Sequence, residues 1–175
     1  MLRISIHSFA FLLLMICLFL LLPLHSFADV GYSVSPGYII ALQGSTFTTR
    51  LDISYWNSSV GAFSILIKYD PGVIQIQDIS IPDDSILKEN GFIDSSSFAS
   101  GSTRIVHFQI SELPLNSSTS PLANVHWKVV GAIASSSDIG IEVQDTIDFN
   151  WNRLDVQLWP SMVDIDNYNN FWCLY

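Results

Sequence analysis

From residue 29 onward the chain alternates apolar and polar residues one by one, in short runs separated by clusters of Gly, Pro, Asn, Asp and Ser. A helix repeats every 3.6 residues and a strand every two, so this period commits the chain to half-buried β-strands. Phe47, Thr49, Leu51 and Ile53 form one inward row against Thr48, Arg50 and Asp52. Phe63, Ile65, Ile67 and Tyr69 form a second row against Ser64, Leu66 and Lys68, and Asp70-Pro71-Gly72 then supplies the turn chemistry that stops the strand. Val73 to Ile81 reads as the next strand, with Ile74 and Ile76 opposite Gln75 and Gln77, and Pro82-Asp83-Asp84-Ser85 breaks it. Further strands are expected near Phe92 to Ser96 and over Arg104 to Ile110, where Val106, Phe108 and Ile110 point one way and Ile105, His107 and Gln109 the other. Beyond a polar loop from Pro114 to Pro121, the row Ala123, Val125, Trp127 and Val129 opposes Asn124, His126 and Lys128, which puts Trp127 in the core. Ile139 to Val143 makes a last short strand. Strands recurring about every ten residues with polar turns between them specify a two-sheet Greek-key or jelly-roll sandwich.

The segment before residue 29 is of another kind. Phe9 to Leu22 is an apolar run of 14 residues, preceded by Arg3 and His7 and followed by Ser26 and Ala28 at the −3 and −1 positions of a cleavage site. A membrane-spanning helix needs about 20 residues, whereas the apolar core of an export signal has about 7 to 15. Residues 1–28 are therefore expected to be a signal peptide, touching the membrane only in transit and leaving a secreted or cell-surface chain. The remainder divides into a sandwich domain over 29–160 and a polar, aromatic tail over 161–175. The 49% hydrophobic composition of the whole chain thus splits between the signal and the inward rows. Loss of Arg3 shifts the formal charge from −9 to −10, which argues against a nucleic-acid partner. Cys173 is the one cysteine outside the signal, so the mature chain is expected to close no internal disulfide and to depend on its core.

Motifs for catalysis are missing: there is no HExxH, zinc-type cysteine pairing, GxSxG elbow or phosphate-cradling glycine loop. Asp83 and Asp84 lie in a turn, and Asp164-Ile165-Asp166 starts like a calcium loop but lacks the sixth-position Gly and the terminal Glu. His107 and His126 read as solvated residues on polar faces. No enzyme, metal or cofactor is expected. Aromatic residues near turns open a different possibility, because an indole face stacks on a pyranose ring while its edge meets polar groups. Tyr55, Trp56, Trp151 and Trp159 are candidates for carbohydrate contact, or else plugs for the ends of the sandwich.

Three segments, in order, resemble the cohesin module of cellulosomal scaffolding proteins: Gly44 to Leu51; Val60-Gly61-Ala62-Phe63-Ser64-Ile65-Leu66-Ile67-Lys68-Tyr69-Asp70-Pro71 with Val73 and Ile76; and Pro121-Leu122-Ala123-Asn124-Val125-His126-Trp127-Lys128-Val129-Val130-Gly131. They frame about 110 residues. The resemblance implies a nine-stranded jelly roll related to bacterial carbohydrate-binding modules. It also implies a partner, the calcium-holding dockerin that tethers glycoside hydrolases to a scaffold, received on the outer face of strands three, five, six and eight. Mapped by phase, that face takes Ala62, Ser64, Leu66 and Lys68 from the third strand, Ile105, His107 and Gln109 from the sixth, and Asn124, His126 and Lys128 from the eighth. Ser64 stands where the family commonly has an Asp, which removes a charge-assisted hydrogen bond of about 1.5 to 3 kcal/mol. The face so mapped carries Lys68, Lys128 and two histidines without a carboxylate, and an acidic partner surface is expected to suit it. The function that follows is dockerin-type protein recognition in extracellular polysaccharide degradation or surface assembly, with direct polysaccharide binding as the alternative.

Overall fold

The computed structural model describes residues 28–56, 59–108 and 118–166, and among them the chain is a sandwich of two β-sheets. The expected signal peptide, apart from Ala28, lies outside the described residues, as do Gln109, Ile110 and the stretch from 167 onward with Cys173. In chain order the strands are β1 (Val30–Ser35), β2 (Tyr38–Leu42), β3 (Thr46–Tyr55), β4 (Ala62–Lys68), β5 (Ile74–Ser80), β6 (Gly91–Asp94), β7 (Ser102–Phe108), β8 (Ser118–Val129), β9 (Ser136–Ile147), β10 (Val156–Trp159) and β11 (Ser161–Asp166). A single helical turn, α1 (Leu87–Asn90), precedes β6. One sheet has the order β10-β1-β3-β8-β5 and the other β2-β11-β9-β4-β7-β6.

Nine strands were expected and eleven are present among the described residues. Pro36 and Pro160 account for the difference, since a proline has no N–H to give a ladder. Each interrupts what would otherwise be one long strand. β1 and β10 pair in parallel in the five-stranded sheet, while β2 and β11 pair in parallel in the six-stranded one. The chain therefore changes sheet at both prolines, and each pair counted as one bent strand restores the nine. The tail expected over 161–175 is corrected by the same feature: Ser161–Asp166 is a strand of the sandwich, with Val163 and Ile165 buried and Met162, Asp164 and Asp166 turned out. Its Asp-rich composition hid an ordinary alternation.

The core lies where the inward rows meet. Tyr32, Leu51, Ile53, Ile74 and Trp127 come from one sheet, and Phe63, Ile65, Ile67, Ile105 and Ile139 from the other, all fully buried. Trp127 lies between Phe47, 6.1 Å away and stacked, and Tyr69, 4.9 Å away and edge-on. Its Nε1 donates to Thr49 Oγ1 at 2.8 Å, so the largest core side chain has its polar atom satisfied. Tyr32 Oη and Thr146 Oγ1, 3.1 Å apart, tie one sheet to the other through the interior. The breaking segment at Pro82–Ser85 is anchored by Ser85 Oγ, which donates to the Leu122 carbonyl at 2.7 Å and accepts from Leu87 N at 3.1 Å.

Candidate partner interface

Because side chains alternate across a strand, the residues between the buried ones define the outer face of the six-stranded sheet. In β4 these are Ala62, Ser64, Leu66 and Lys68, as expected from the sequence. In β7 they are Arg104, Val106 and Phe108, and in β6 Phe92 and Asp94. Strand register builds cross-strand rows from them. One row runs Phe92, Val106, Ser64, Asp145; the next runs Asp94, Arg104, Leu66, Glu142; at the end of the sheet, Phe108, Ala62 and Ile147 form a third. Phe92 is 62% and Phe108 57% exposed, large apolar rings held on a sheet surface that otherwise meets water.

Two features of the expected face are corrected. The first is the phase of β7. Thr103, Ile105 and His107 are buried, so His107 and Ile105 belong to the core and not to the face. Apolar residues occupy both phases of this run, at Ile105, Val106 and Phe108, so alternation alone could not choose; the register with β4 does. The second is the strand carrying Asn124, His126 and Lys128. That strand, β8, lies between β3 and β5 in the five-stranded sheet. The place beside β4 belongs to β9, which presents Gly140, Glu142, Asp145 and Ile147. The structure thus brings the β4 residues together with Phe92, Arg104, Val106, Phe108 and Glu142, and separates them from His107 and from the β8 trio. Phe92 and Phe108 could have been found from sequence only by fixing the phase of their strands.

The electrostatic expectation changes with the geometry. Lys68 Nζ donates to Glu142 Oε2, and this contact holds the Glu142 carboxyl below the usual range. Arg153 Nε lies 3.6 Å from Asp145 Oδ1, and Arg104 is in register with Asp94. The face therefore mixes both signs around apolar rings, in place of the basic face expected. On the opposite sheet, His126 Nδ1 lies 2.9 Å from Thr48 Oγ1 and its Nε2 lies 3.1 Å from Ser80 Oγ, a cross-strand polar row. Lys128 Nζ donates to the Gly44 carbonyl. That side is hydroxyl-rich and holds no apolar row of this kind among the described residues.

His107 is almost fully buried against Phe63, with ring centroids 5.5 Å apart. Neither ring nitrogen has a hydrogen-bond partner among the described residues. Burial pushes its pKa below the ordinary histidine value, and the backbone at Asn90 opposes this more weakly.

The aromatic candidates separate. Tyr55 is buried, its hydroxyl 3.4 Å from Ser120 Oγ, and offers no surface to a sugar. Trp56 and Trp159 meet edge to face at 6.0 Å on the five-stranded sheet, above Gly31. A Cβ on Gly31 would come within 2.3 Å of the Trp159 ring, so only glycine leaves room for the pair. Trp151 stands elsewhere, in the turn after β9, and is 81% exposed. Among the described residues no cluster of His, Cys, Asp or Glu could hold a metal ion.

No protein-family model matches the sequence, and no curated protein matches it. Solved structures do match. The cohesin CaCohA2 of Clostridium acetobutylicum is 18% identical, with a TM-score of 0.63, 79% of this chain and 92% of that chain being covered. A type I cohesin–dockerin complex of Clostridium thermocellum, Coh-OlpC-Doc435, matches at 15% identity and a TM-score of 0.64, covering 81% of this chain and 97% of that chain. A non-cellulosomal cohesin of the archaeon Archaeoglobus fulgidus matches at 17% and 0.60, covering 81% and 94%. With its two sheets and sheet-switching ends, this chain has the cohesin fold.

Proposed function

We propose that this chain is a secreted binding module that receives a dockerin-type protein on the outer face of its six-stranded sheet, in extracellular polysaccharide degradation or surface assembly. One observation carries the reading: Phe92 and Phe108 are held exposed on adjacent strands, in rows with Val106 and Ala62, where a face meant only for water would place polar groups. The similar structures include cohesin–dockerin complexes, which supports the class of partner. Ser64, in register with Val106 and Asp145, offers a hydroxyl where the resemblance implies a carboxylate, and the charge beside it is that of Asp145, which lies 3.6 Å from Arg153. The test is calorimetric titration with dockerin modules encoded in the same genome. Phe92→Asp and Phe108→Asp should each weaken binding at least tenfold while His126→Asp, on the other sheet, leaves it unchanged; the reverse pattern would refute this face.

A second reading, carbohydrate contact, is favoured by the Trp56–Trp159 pair on the hydroxyl-rich sheet. Retention of the protein on insoluble cellulose, lost on Trp56→Ala and kept on Phe108→Asp, is its expected signature.

A further inference from the structure

Trp151 combines three properties that conflict within the folded chain alone. Its backbone is left-handed, with φ at +67°, a region that suits Gly or Asn and strains a bulky side chain. Its indole is 81% exposed, so burial in the chain's own core does not offset that strain. Its turn is nonetheless firmly built. Asp148 Oδ1 accepts from the N–H groups of Asn150 and Asn152 at 2.7 and 2.8 Å, and Asp148 Oδ2 accepts from Asn152 Nδ2 at 2.9 Å. These bonds hold the Asp148 carboxyl below its usual range. Asp148 N also donates to the Asn152 carbonyl at 2.9 Å.

The position of the turn says what it serves. Its base is the bridge between Ile147 and Arg153, and Ile147 continues the row Phe108, Ala62, Ile147 at the end of the six-stranded sheet. Gly61, next to Ala62, donates its N–H to the Ile147 carbonyl at 2.8 Å, and a Cβ there would meet the Asp148 carbonyl at 2.7 Å. The turn is thus bolted against the end of β4. We propose that Trp151 is a preorganised anchor of the partner interface, extending the apolar row beyond the sheet to fill an apolar cleft on a dockerin-type protein. Strain held at an exposed, rigid site is a common mark of a binding residue, and Trp is the residue type most often found as an interface hot spot. A rigid turn also lowers the entropy lost on docking. A sugar ring is the less suitable occupant, because the neighbouring row is aliphatic and phenyl with few hydroxyls.

The inference rests on the protein-docking reading, and its test separates the two. Trp151→Asn and Trp151→Gly are compared with the unaltered full chain for thermal unfolding and for titration with the dockerin modules. Relief of the left-handed strain is expected to leave Tm unchanged or to raise it by up to about 4 °C, while Kd rises at least tenfold; Trp151→Phe should recover part of the loss. If the unaltered chain binds dockerin and both variants bind within tenfold of it, the anchor is refuted and the docking reading stands. If the unaltered chain binds none, the docking reading fails and takes the anchor with it. A fall in Tm for both variants would make Trp151 a structural residue. Retention on insoluble cellulose that disappears with Trp151→Asn while dockerin binding persists would assign it to carbohydrate and overturn the proposal.

Discussion

Trp127 and His107 show how differently two buried polar side chains can be treated. Trp127 has one polar atom and one partner, Thr49 Oγ1. Thr49→Val keeps the volume and strands that donor, so it should lower the unfolding free energy by about 1 to 3 kcal/mol in a denaturant titration. His107 has two ring nitrogens, neither in a hydrogen bond of normal geometry among the described residues, and the Asn90 backbone acts on the ring only weakly. Its folded pKa is depressed by desolvation, so the unfolded chain takes up the proton first as pH falls. Stability from this site is full while both states are neutral and declines as pH drops below about 6.5, the ordinary histidine value. His107→Phe should remove that decline, seen as a smaller change in urea midpoint between pH 7.5 and 5. The two residues also differ in how legible they were. Trp127 sits in a run whose opposing phase is Asn124, His126 and Lys128, and the alternation has a single solution. His107 sits between Val106 and Phe108, apolar residues of the opposite phase, and only the pairing with β4 sends it inward.

At the scale of elements, what sequence could not supply was the choice between sheets. Alternation identifies β8 as a strand with Trp127 inward, yet it says nothing about which neighbours a strand will have. Its partners β3 and β5 place it across the core from β4, and the Asn124, His126 and Lys128 row goes with it. The ends of the sandwich were hidden for a related reason: β10 and β11 lie in a stretch rich in Asp, Asn and Trp, with Pro160 between them. β1 is constrained by what lies above it. Gly31→Ala would drive a methyl into the rings of Trp159 and Trp56, and splaying that pair should cost about 1 to 3 kcal/mol, measurable as a fall in Tm. A neutral result would mean the two indoles are free to move aside.

The whole molecule presents two faces of unlike chemistry on one core. The five-stranded sheet shows hydroxyls and the His126 row, with a Trp pair near one edge. The six-stranded sheet shows phenyl and aliphatic rows interleaved with charges of both signs. Paired charges contribute little net field, so binding on the second face should depend weakly on salt: Kd should change by less than about threefold between 50 and 500 mM NaCl, in contrast to a face steered by unpaired lysines. Docking on the six-stranded sheet is tested by hydrogen–deuterium exchange of the full chain with and without a bound dockerin module. Slowed exchange is predicted in residues 62–68, 91–94, 102–108 and 138–152, with 46–55 and 118–129 unchanged. Protection confined to β3 and β8 would contradict it.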